Sequence, residues 1–258
     1  MSETAYSSTE GRKGGRRVVI VTGASRGIGL AIAQRFLELG CSVALHGRRT
    51  PDDASIREAV QRGNARLVSG DLSRESDRAA LFAKAVEAFG ALDVLVNNAS
   101  VQTFGALSEW SEEVAQPLVQ VNLIAAIDCM RRAAHIMANG DGDRCVINIA
   151  SVRASRPGGG GAMYAATKAA LVSVTRSAAV EYGPAGIRVN AISPGLIWRE
   201  GIEEEWGDGV RAYQSLAPLR RIGRPNDVAE ACVMLASPAA VWITGVDLIV
   251  DGGISLVR

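Results

Sequence analysis

Residues 17–29 of this 258-residue chain read R-V-V-I-V-T-G-A-S-R-G-I-G, and this stretch decides the fold class. Arg17 to Thr22 is short, apolar and rich in β-branched residues, which is typical of a parallel strand buried on both faces. After the glycine turn, Ile28, Ile32, Phe36 and Leu39 recur at helical spacing, and Gly40 is expected to end the helix. A strand, a glycine turn and a helix in this order predict the opening unit of an α/β fold.

The glycine turn at 23–29 is suited to a phosphate group. In a strand-turn-helix unit, backbone N–H groups and the positive end of the helix point at the ligand. Glycines allow a tight turn and let a pyrophosphate approach the backbone. We therefore expect this unit to bind a dinucleotide.

The next strand, Ser42 to His46, is followed by residues that indicate which dinucleotide. An NAD-binding chain places an acidic residue at this strand end to hold the ribose 2′-hydroxyl, whereas a nearby arginine suits a 2′-phosphate. Here Gly47 stands at the acid position, with Arg48 and Arg49 beside it and Arg26 in the glycine turn. Guanidinium groups bind phosphate through charge-assisted bonds, so we expect NADP(H) rather than NAD(H). The alternative is that these arginines only add surface charge.

Strands and helices alternate along the rest of the chain. Further strands are expected near 66–69, 93–97, 145–150, 187–192 and 246–250, with helices between them. This alternation predicts a doubly wound parallel sheet of about seven strands with helices on both faces, a single-domain Rossmann fold. We assign residues 16–258 to that domain and residues 1 to about 15 to a disordered tail.

The charge balance and the cysteine and histidine content indicate which kinds of binding partner are unlikely for this chain. The formal net charge is +1, with 48% hydrophobic and 21% charged residues, which argues against nucleic acid or a membrane as the main partner. The cysteines are scattered and only two histidines are present, so no metal site is expected. Buried free thiols and a polar N-terminus are typical of a soluble cytoplasmic protein.

A candidate catalytic segment, S-V-R-A-S-R-P-G-G-G-G-A-M-Y-A-A-T-K, spans residues 151–168. Tyr164 and Lys168 are four residues apart and would share one helix face. An ammonium roughly 4 Å from a phenol stabilises the phenolate by ~4 kcal/mol, which would bring its pKa down by about 3 units, close to neutrality. Ser151 follows an apolar strand, at the sheet edge where ligands bind. Without other evidence, a tyrosine and a lysine at this spacing are more often solvent-exposed helix residues that have no catalytic function.

Three other features leave alternatives open. Asn122 is polar within an apolar helical stretch, and either satisfies a break in its helix, or holds a water, or does both. Asp71 either caps a helix or accepts a hydrogen bond from an adenine amine. Residues 198–217 mix aromatic, glycine and charged residues, which suits either a lid over a substrate or a solvated helical hairpin.

Taken together, the motifs resemble the short-chain dehydrogenase/reductase family. They are T-G-A-S-R-G-I-G at 22–29, D-L at 71–72, N-N-A-S at 97–100, Y-A-A-T-K at 164–168 and P-G-L-I at 194–197, together with Asn122, Ser151 and a terminal I-T-G-V-D-L-I-V-D-G-G. The resemblance runs from about Arg17 to Gly253. It is closest to the branch of 3-oxoacyl-carrier-protein reductases and polyol or sugar dehydrogenases.

By position, the resemblance implies a catalytic set and a cofactor site. Tyr164 is the acid or base, Lys168 lowers its pKa and holds the nicotinamide ribose, and Ser151 orients the carbonyl or alcohol. Asn122 supports a water in the proton relay. Besides Tyr164 and Lys168, the implied cofactor contacts are Gly23, Ser25, Arg26, Gly27, Ile28, Gly29, Arg48, Asp71, Leu72, Asn98, Ala99, Pro194, Gly195 and Ile197.

The chain departs from the family pattern at two places. Ser100 replaces a glycine and adds a side chain near the cofactor or substrate. Trp198 and Arg199 replace an acid-threonine pair whose threonine bonds the cofactor, so Arg199 is expected to meet the substrate or the pyrophosphate instead. Family members usually form tetramers through the helices that carry Asn122 and Tyr164 and through the last strand, which predicts a homo-oligomer.

These observations favour an NADP(H)-dependent ketoreductase acting on a small carbonyl or alcohol substrate. One alternative is a sugar or polyol dehydrogenase that works oxidatively, because the chemistry is reversible. A further alternative, from a different class, is a catalytically idle NADP-binding regulatory protein.

Overall fold

The computed structural model describes residues 15–138, 140 and 142–257. The predicted disordered tail, residues 1 to about 15, lies outside the described residues except for Gly15.

Seven strands of the described residues form one sheet. They are β1 (Val18–Val21), β2 (Ser42–Gly47), β3 (Ala65–Ser69), β4 (Val94–Asn97), β5 (Arg144–Ile149), β6 (Ile187–Pro194) and β7 (Asp247–Val250). All neighbouring pairs are parallel, and the spatial order is β3-β2-β1-β4-β5-β6-β7. The predicted Rossmann-type parallel sheet of about seven strands is confirmed.

Helices connect the strands. They are α1 (Gly27–Glu38), α2 (Ala54–Gln61), α3 (Glu75–Phe89), α4 (Glu112–Val119), α5 (Ala125–Met137), α6 (Ala162–Tyr182), α7 (Ile202–Leu216) and α8 (Pro225–Ala236). A π-helical turn at Gln120–Ile124 joins α4 to α5. Gly90 ends α3 with φ of +73°, a left-handed conformation that glycine adopts without strain.

The core lies on both faces of the sheet, because successive strand residues point to opposite sides. Val19 and Val21 pack with α1, α2 and α8, whereas Ile20 packs with α3, α5 and α6. The inner strands β1, β2, β4, β5 and β6 therefore bury both faces, which explains why they read as continuous apolar runs, whereas the edge strands β3 and β7 are partly exposed.

The spatial order of the strands reverses direction between β1 and β4. In an open parallel sheet this reversal leaves a crevice at the carboxyl ends of the strands. The glycine turn after β1, the segment after β4 and Ser151 after β5 all lie at this edge. The topology thus collects the candidate residues from distant parts of the sequence.

The structure adds detail to three helical segments. The helices α2 and α4 were not predicted individually, and each is capped by a short polar side chain: Asp53 accepts from the Ile56 N–H, and Ser111 accepts from the Val114 N–H. Residues 198–217, for which a lid or a solvated helical hairpin was expected, are mostly the helix α7 with a break at Trp206 (φ −149°, ψ 43°).

Within the described residues, no helix is both long and apolar enough to cross a membrane.

Candidate active site

The glycine turn is held in place by the segment that follows β4. Asn98 donates from its side-chain amide to the backbone oxygens of Thr22 and Gly23, at 2.9 and 3.1 Å. The Thr22 hydroxyl accepts from the backbone N–H groups of Asn98 and Ala99. Asn98 and Ala99, expected to flank a cofactor, therefore also fix the shape of the turn.

Two glycines of the turn are required by close packing. A Cβ at Gly29 would lie 2.3 Å from the Gly23 oxygen and 2.4 Å from the Asn98 side chain. Gly23 has φ of +66°, and a Cβ there would lie 2.8 Å from the Ala99 Cα. Neither position accepts a side chain without moving the backbone.

A pyrophosphate fits the start of α1. Arg26 precedes the helix and makes no side-chain cap, so the first helical N–H groups receive no side-chain acceptor. Around Gly27 there is open space within 4 Å of the Cβ position. An uncapped helix N-terminus beside open space is a suitable anion site. Ser25 and Ile28 are half-buried at the same turn, and Arg26 is exposed.

A cavity of about 170 Å³ lies at the carboxyl ends of β1, β2 and β3. Ser25, Gly47 and Arg49 contribute to its wall. Arg48 is exposed at the same strand end, and its charge helps to lower the pKa of Asp71. The arginines expected to mark a 2′-phosphate site therefore lie next to this cavity, with Arg49 on the wall and Arg48 towards Asp71.

Asp71 acts as a turn cap. Its carboxylate accepts from the Ser73 N–H at 2.9 Å, and hydrogen bonds from Ser73 are the main cause of its lowered pKa. Asp71 therefore caps the turn before α3 and not the helix itself, whose N-terminal flanking residue is Arg74, while the expected contact with adenine stays a prediction. Leu72, expected to face adenine, packs into the core with Leu81 and is only 5% exposed.

The candidate catalytic residues meet at the carboxyl end of β5. Ser151 ends the strand segment, and its hydroxyl accepts from the Arg153 N–H at 3.2 Å. Tyr164 lies in the first turn of α6, 6% exposed, with Lys168 one turn later and 2% exposed. The side chains of Ser151 and Gln102 lie next to the Tyr164 hydroxyl. The predicted serine, tyrosine and lysine are thus brought together.

The expected direction of the Tyr164 pKa is wrong. Burial is the largest effect and raises the pKa of Tyr164, and the hydrogen bonds from Ser151 and Gln102 oppose it only in part. The Lys168 ammonium lies 5.6 Å from the centroid of the Tyr164 ring and donates to the Ile149 oxygen at 2.8 Å. Helical spacing predicted that Tyr164 and Lys168 share a helix face. It could not predict that the Lys168 ammonium donates to the Ile149 backbone oxygen rather than to the phenol.

Lys168 is itself perturbed by burial. Loss of hydration disfavours its charged form and lowers its pKa to about 8. A buried amine with a pKa near neutrality exchanges protons readily under physiological conditions. A phenol that holds its proton and a buried amine beside it are groups that can move a proton at this site.

Asn122 holds the segment after β4. Its side chain accepts from the Val101 N–H at 2.7 Å and donates to the Val101 oxygen at 2.9 Å. The same amide donates to the Thr167 hydroxyl at 3.3 Å, and that hydroxyl donates to the backbone carbonyl oxygen of Tyr164 at 2.8 Å. Asn122 lies in the π-helical turn, but its side chain bonds to Val101 and Thr167, so among the described contacts it does not satisfy a break in its own helix.

Ser100 is explained by the same contacts. Its hydroxyl donates to the Asn122 side-chain oxygen at 3.1 Å. The departure from the family glycine therefore adds a bond to Asn122. Sequence reasoning missed Thr167 and Gln102 as residues around Tyr164, because a single threonine or glutamine carries no spacing signal.

The loop after β6 closes the other side of the crevice. Pro194 is buried at the strand end, and Ile197 forms an isolated bridge with Gly223. A Cβ at Gly195 would lie 2.1 Å from the Tyr213 hydroxyl, which donates to the Asp251 oxygen. These residues fix the loop at the same sheet edge as the glycine turn.

Arg199 does not reach the catalytic residues. It forms a two-point ion pair with Glu205, with one contact at 2.9 Å, and both side chains are exposed. The charge of Arg199 is thus paired with Glu205, and the expectation that Arg199 meets the substrate or the pyrophosphate stays a prediction. That residues 198–217 cover a substrate stays a prediction.

The fold and these contacts identify the class of protein. The chain belongs to the short-chain dehydrogenase/reductase family, whose members are oxidoreductases that act on CH–OH groups with a nicotinamide dinucleotide. The matching family model, described as enoyl-(acyl carrier protein) reductase, covers residues 23–255.

Individual relatives are similar over nearly their whole length. Glucose 1-dehydrogenase of Gluconobacter oxydans is 36% identical over 92% of this chain and 91% of that protein. L-Rhamnose 1-dehydrogenase (NAD(P)(+)) of Azotobacter vinelandii is 37% identical over 92% and 96%. The ligand-free structure of Thermoplasma acidophilum aldohexose dehydrogenase is 32% identical, with a TM-score of 0.85 over 94% of this chain and 95% of that one.

Proposed function

We propose that the protein is an NADP(H)-dependent carbonyl reductase in which Tyr164 is the general acid. The observation that carries this proposal is the buried cluster of Ser151, Tyr164 and Lys168 at the carboxyl edge of the sheet, beside the glycine turn. Burial holds the phenol in its protonated form at neutral pH, because it raises the pKa of Tyr164. A protonated phenol is the form that gives a proton to a carbonyl oxygen.

The proposed mechanism assigns one task to each residue. The cofactor, when bound, supplies the hydride that reduces the carbonyl carbon. The Ser151 hydroxyl donates to the carbonyl oxygen and orients it, and Tyr164 transfers its proton to that oxygen. Lys168 stabilises the phenolate that remains and offers its other N–H donors to the nicotinamide ribose. Asn122 holds the segment after β4 against α6, through its bonds to Val101 and Thr167, and supports the proton relay.

The cofactor would lie along the crevice. Gly23, Ser25 and Gly27 with the start of α1 would hold the pyrophosphate. Asp71 and the backbone of Leu72 would meet the adenine, and the loop of Pro194, Gly195 and Ile197 would meet the nicotinamide.

Arg48 and Arg49 are expected to determine the preference for NADPH. Arg48→Ala and Arg49→Ala are each expected to weaken NADPH binding roughly 10- to 100-fold, because each loses a charge-assisted bond to the 2′-phosphate. NADH binding should change less than about threefold, since NADH carries no such phosphate. Fluorescence titration with both cofactors measures the effect, and Arg62→Ala, at an exposed arginine just after the end of α2, is the matched control. Equal affinity of the wild-type protein for NADH and NADPH would overturn the preference.

A second candidate is a sugar dehydrogenase that oxidises its substrate. The names of the relatives favour it, since glucose 1-dehydrogenase and L-rhamnose 1-dehydrogenase are among them. It requires the phenolate of Tyr164 as a base, which the raised pKa of Tyr164 disfavours at neutral pH. Assays in both directions, with ketones plus NADPH and with aldoses plus NADP⁺, separate the two.

We further propose that the protein acts as a cytoplasmic homotetramer. The elements that meet in family tetramers carry exposed apolar side chains here: Ile124 and Ile127 near Asn122, Val180 at 80% exposed on α6, and Trp242 at 97% exposed before β7. Exposed apolar side chains on these elements are compatible with an association surface. All four cysteines are buried and free, which suits a reducing compartment.

Light scattering coupled to gel filtration tests the assembly. We expect a particle of four times the 27.1 kDa chain mass, and Trp242→Lys combined with Val180→Lys is expected to give smaller species. Val60→Lys, on the remote helix α2, is the control that should leave the tetramer intact. A wild-type monomer across micromolar concentrations would contradict the proposal.

A further inference from the structure

Arg153 lies in the substrate side of the site and has no role in the mechanism above. It follows Ser151 by two residues, within the short helical turn Val152–Ala154. Because the Ser151 hydroxyl accepts from the Arg153 N–H at 3.2 Å, the arginine backbone is tied directly to a catalytic side chain. Its position is therefore fixed by the same turn that places Ser151.

The Arg153 guanidinium lies between two loops at the mouth of the site. Its Cζ is 5.6 Å from the centre of the Phe104 ring, in the segment after β4, and its Nη1 donates to the Gly158 oxygen at 3.3 Å. A Cβ at Gly161 would lie 2.9 Å from Nη1, so the missing side chain makes room for the guanidinium. Gly161 directly precedes α6, and the Arg153 charge reaches the Tyr164 hydroxyl and lowers its pKa against the effect of burial.

The guanidinium has no carboxylate partner among the described residues. Arg199 pairs with Glu205 and Arg221 pairs with Asp227, but no ion pair of the described part of the chain includes Arg153. A guanidinium has five N–H donors, and the bond to Gly158 uses one Nη1 donor. A half-buried cation with spare donors, stacked on an aromatic ring and facing a catalytic phenol, is arranged to receive an anion.

We propose that Arg153 binds the carboxylate of the substrate, so that the protein acts on an oxo or hydroxy carboxylic acid. The proposal rests on the proposed reductase function and specifies its substrate class. The planar fork of a guanidinium matches the two oxygens of a carboxylate. One guanidinium balances one negative charge, which favours a carboxylate over a doubly charged phosphate. The contact would place the acid group next to the carbonyl that Ser151 and Tyr164 hold.

Matched acids and amides test the proposal. The substrates are 2-oxobutanoate, 3-oxobutanoate and 4-oxopentanoate with their primary amides, each assayed with NADPH. For the acid that fits best, we expect kcat/KM to exceed that of its amide roughly 10- to 100-fold, as charge-assisted bonds allow. Arg153→Gln should bring this ratio close to one, and Arg153→Lys should keep part of it, since an ammonium provides the charge without the fork.

The acid-to-amide ratio is internal to each variant, so loss of folded protein does not change it. Arg156→Gln, at an exposed arginine three residues further on, is the control and should leave the ratio as in the wild type. The proposal is overturned if the wild type does not prefer acids, or if the preference survives Arg153→Gln. It is also overturned if Arg153→Gln lowers kcat/KM equally for acid and amide, because Arg153 would then act only on the pKa of Tyr164 and not on the substrate carboxylate.

The same assay separates failure of this proposal from failure of the proposed function. Reduction of other ketones with NADPH, but of none of these acids, rejects the carboxylate site and leaves the reductase function standing. Absence of NADPH-dependent reduction with every ketone tested rejects the reductase function, and the carboxylate site falls with it.

Discussion

Tyr164→Phe is expected to lower kcat/KM for ketone reduction by about 10³-fold, within the range that general acid catalysis supplies. The substitution removes only the hydroxyl, which is the group that gives the proton to the carbonyl oxygen. The ring stays packed between Ser151 and Lys168, so the fold and the cofactor site should persist. Stopped-flow and steady-state kinetics measure the loss, and NADPH titration should give an affinity within about threefold of the wild type.

Tyr182→Phe is the matched control for this prediction. Tyr182 lies at the other end of α6 and is half-buried, and its hydroxyl takes no part in the site. Its removal should leave kcat/KM unchanged. Turnover of Tyr164→Phe at the wild-type rate would show that the proton comes from another group and would remove the main support for the mechanism.

Lys168→Met is expected to raise the stability of the protein at neutral pH while lowering its activity. Burial lowers the pKa of Lys168 to about 8, so the ammonium destabilises the folded state at pH values below about 8. The destabilisation at neutral pH is on the order of 3 kcal/mol, and it fades as the pH rises above the folded pKa towards the ordinary value of lysine. Replacement by methionine removes the buried ammonium and so raises the free energy of unfolding. Part of this increase is lost because the Ile149 backbone oxygen no longer has a hydrogen-bond donor.

The ligand-free Lys168→Met variant should therefore melt a few degrees above the wild type at pH 7 and close to it at pH 10. Its kcat/KM should fall about 10²-fold or more, because the phenolate of Tyr164 loses the ammonium that stabilises it. Thermal unfolding at equal protein concentrations measures the first effect. Lys84→Met, at an exposed lysine on α3, is the control and should show no pH-dependent change in stability. A variant that is destabilised equally at both pH values would contradict the assignment.

The sequence was sufficient for the fold and for predicting that Ser151, Tyr164 and Lys168 lie together at one edge of the sheet. The strand and glycine turn at 17–29 led to β1 and α1, and the packing around Gly23 and Gly29 explains why these positions are glycine. Ser151, Tyr164 and Lys168 were brought together as expected, because strand ends and helical spacing are local properties that the sequence carries directly.

The electrostatics of the site could not be obtained from spacing. Whether Lys168 lowers the pKa of Tyr164 depends on the burial of both groups and on the direction of the ammonium, which bonds to Ile149. Similarly, the charge of Arg199 suggested a ligand contact, but Glu205, six residues later, takes up that charge. Such outcomes depend on tertiary contacts that no local pattern encodes.

The residues around the substrate side also required the structure. Gln102, Arg153 and Thr167 come from three different parts of the chain. Only the arrangement after β4, after β5 and along α6 shows that they surround Tyr164 or its helix. Arg153 then stands out because it lacks the acidic partner that Arg199 has.

The central claim is that the protein transfers hydride between NADPH and a carbonyl carbon with Tyr164 as the proton donor. The most direct measurement uses NADPH with deuterium at the transferable nicotinamide position, a panel of ketones that includes oxo acids, and mass spectrometry of the product. The account predicts one deuterium in the alcohol for each NADPH oxidised by the wild type, and none with Tyr164→Phe on the same timescale. Tight NADPH binding without deuterium transfer to any ketone, and without the reverse reaction from alcohols or sugars, would contradict it and favour a regulatory NADP-binding protein.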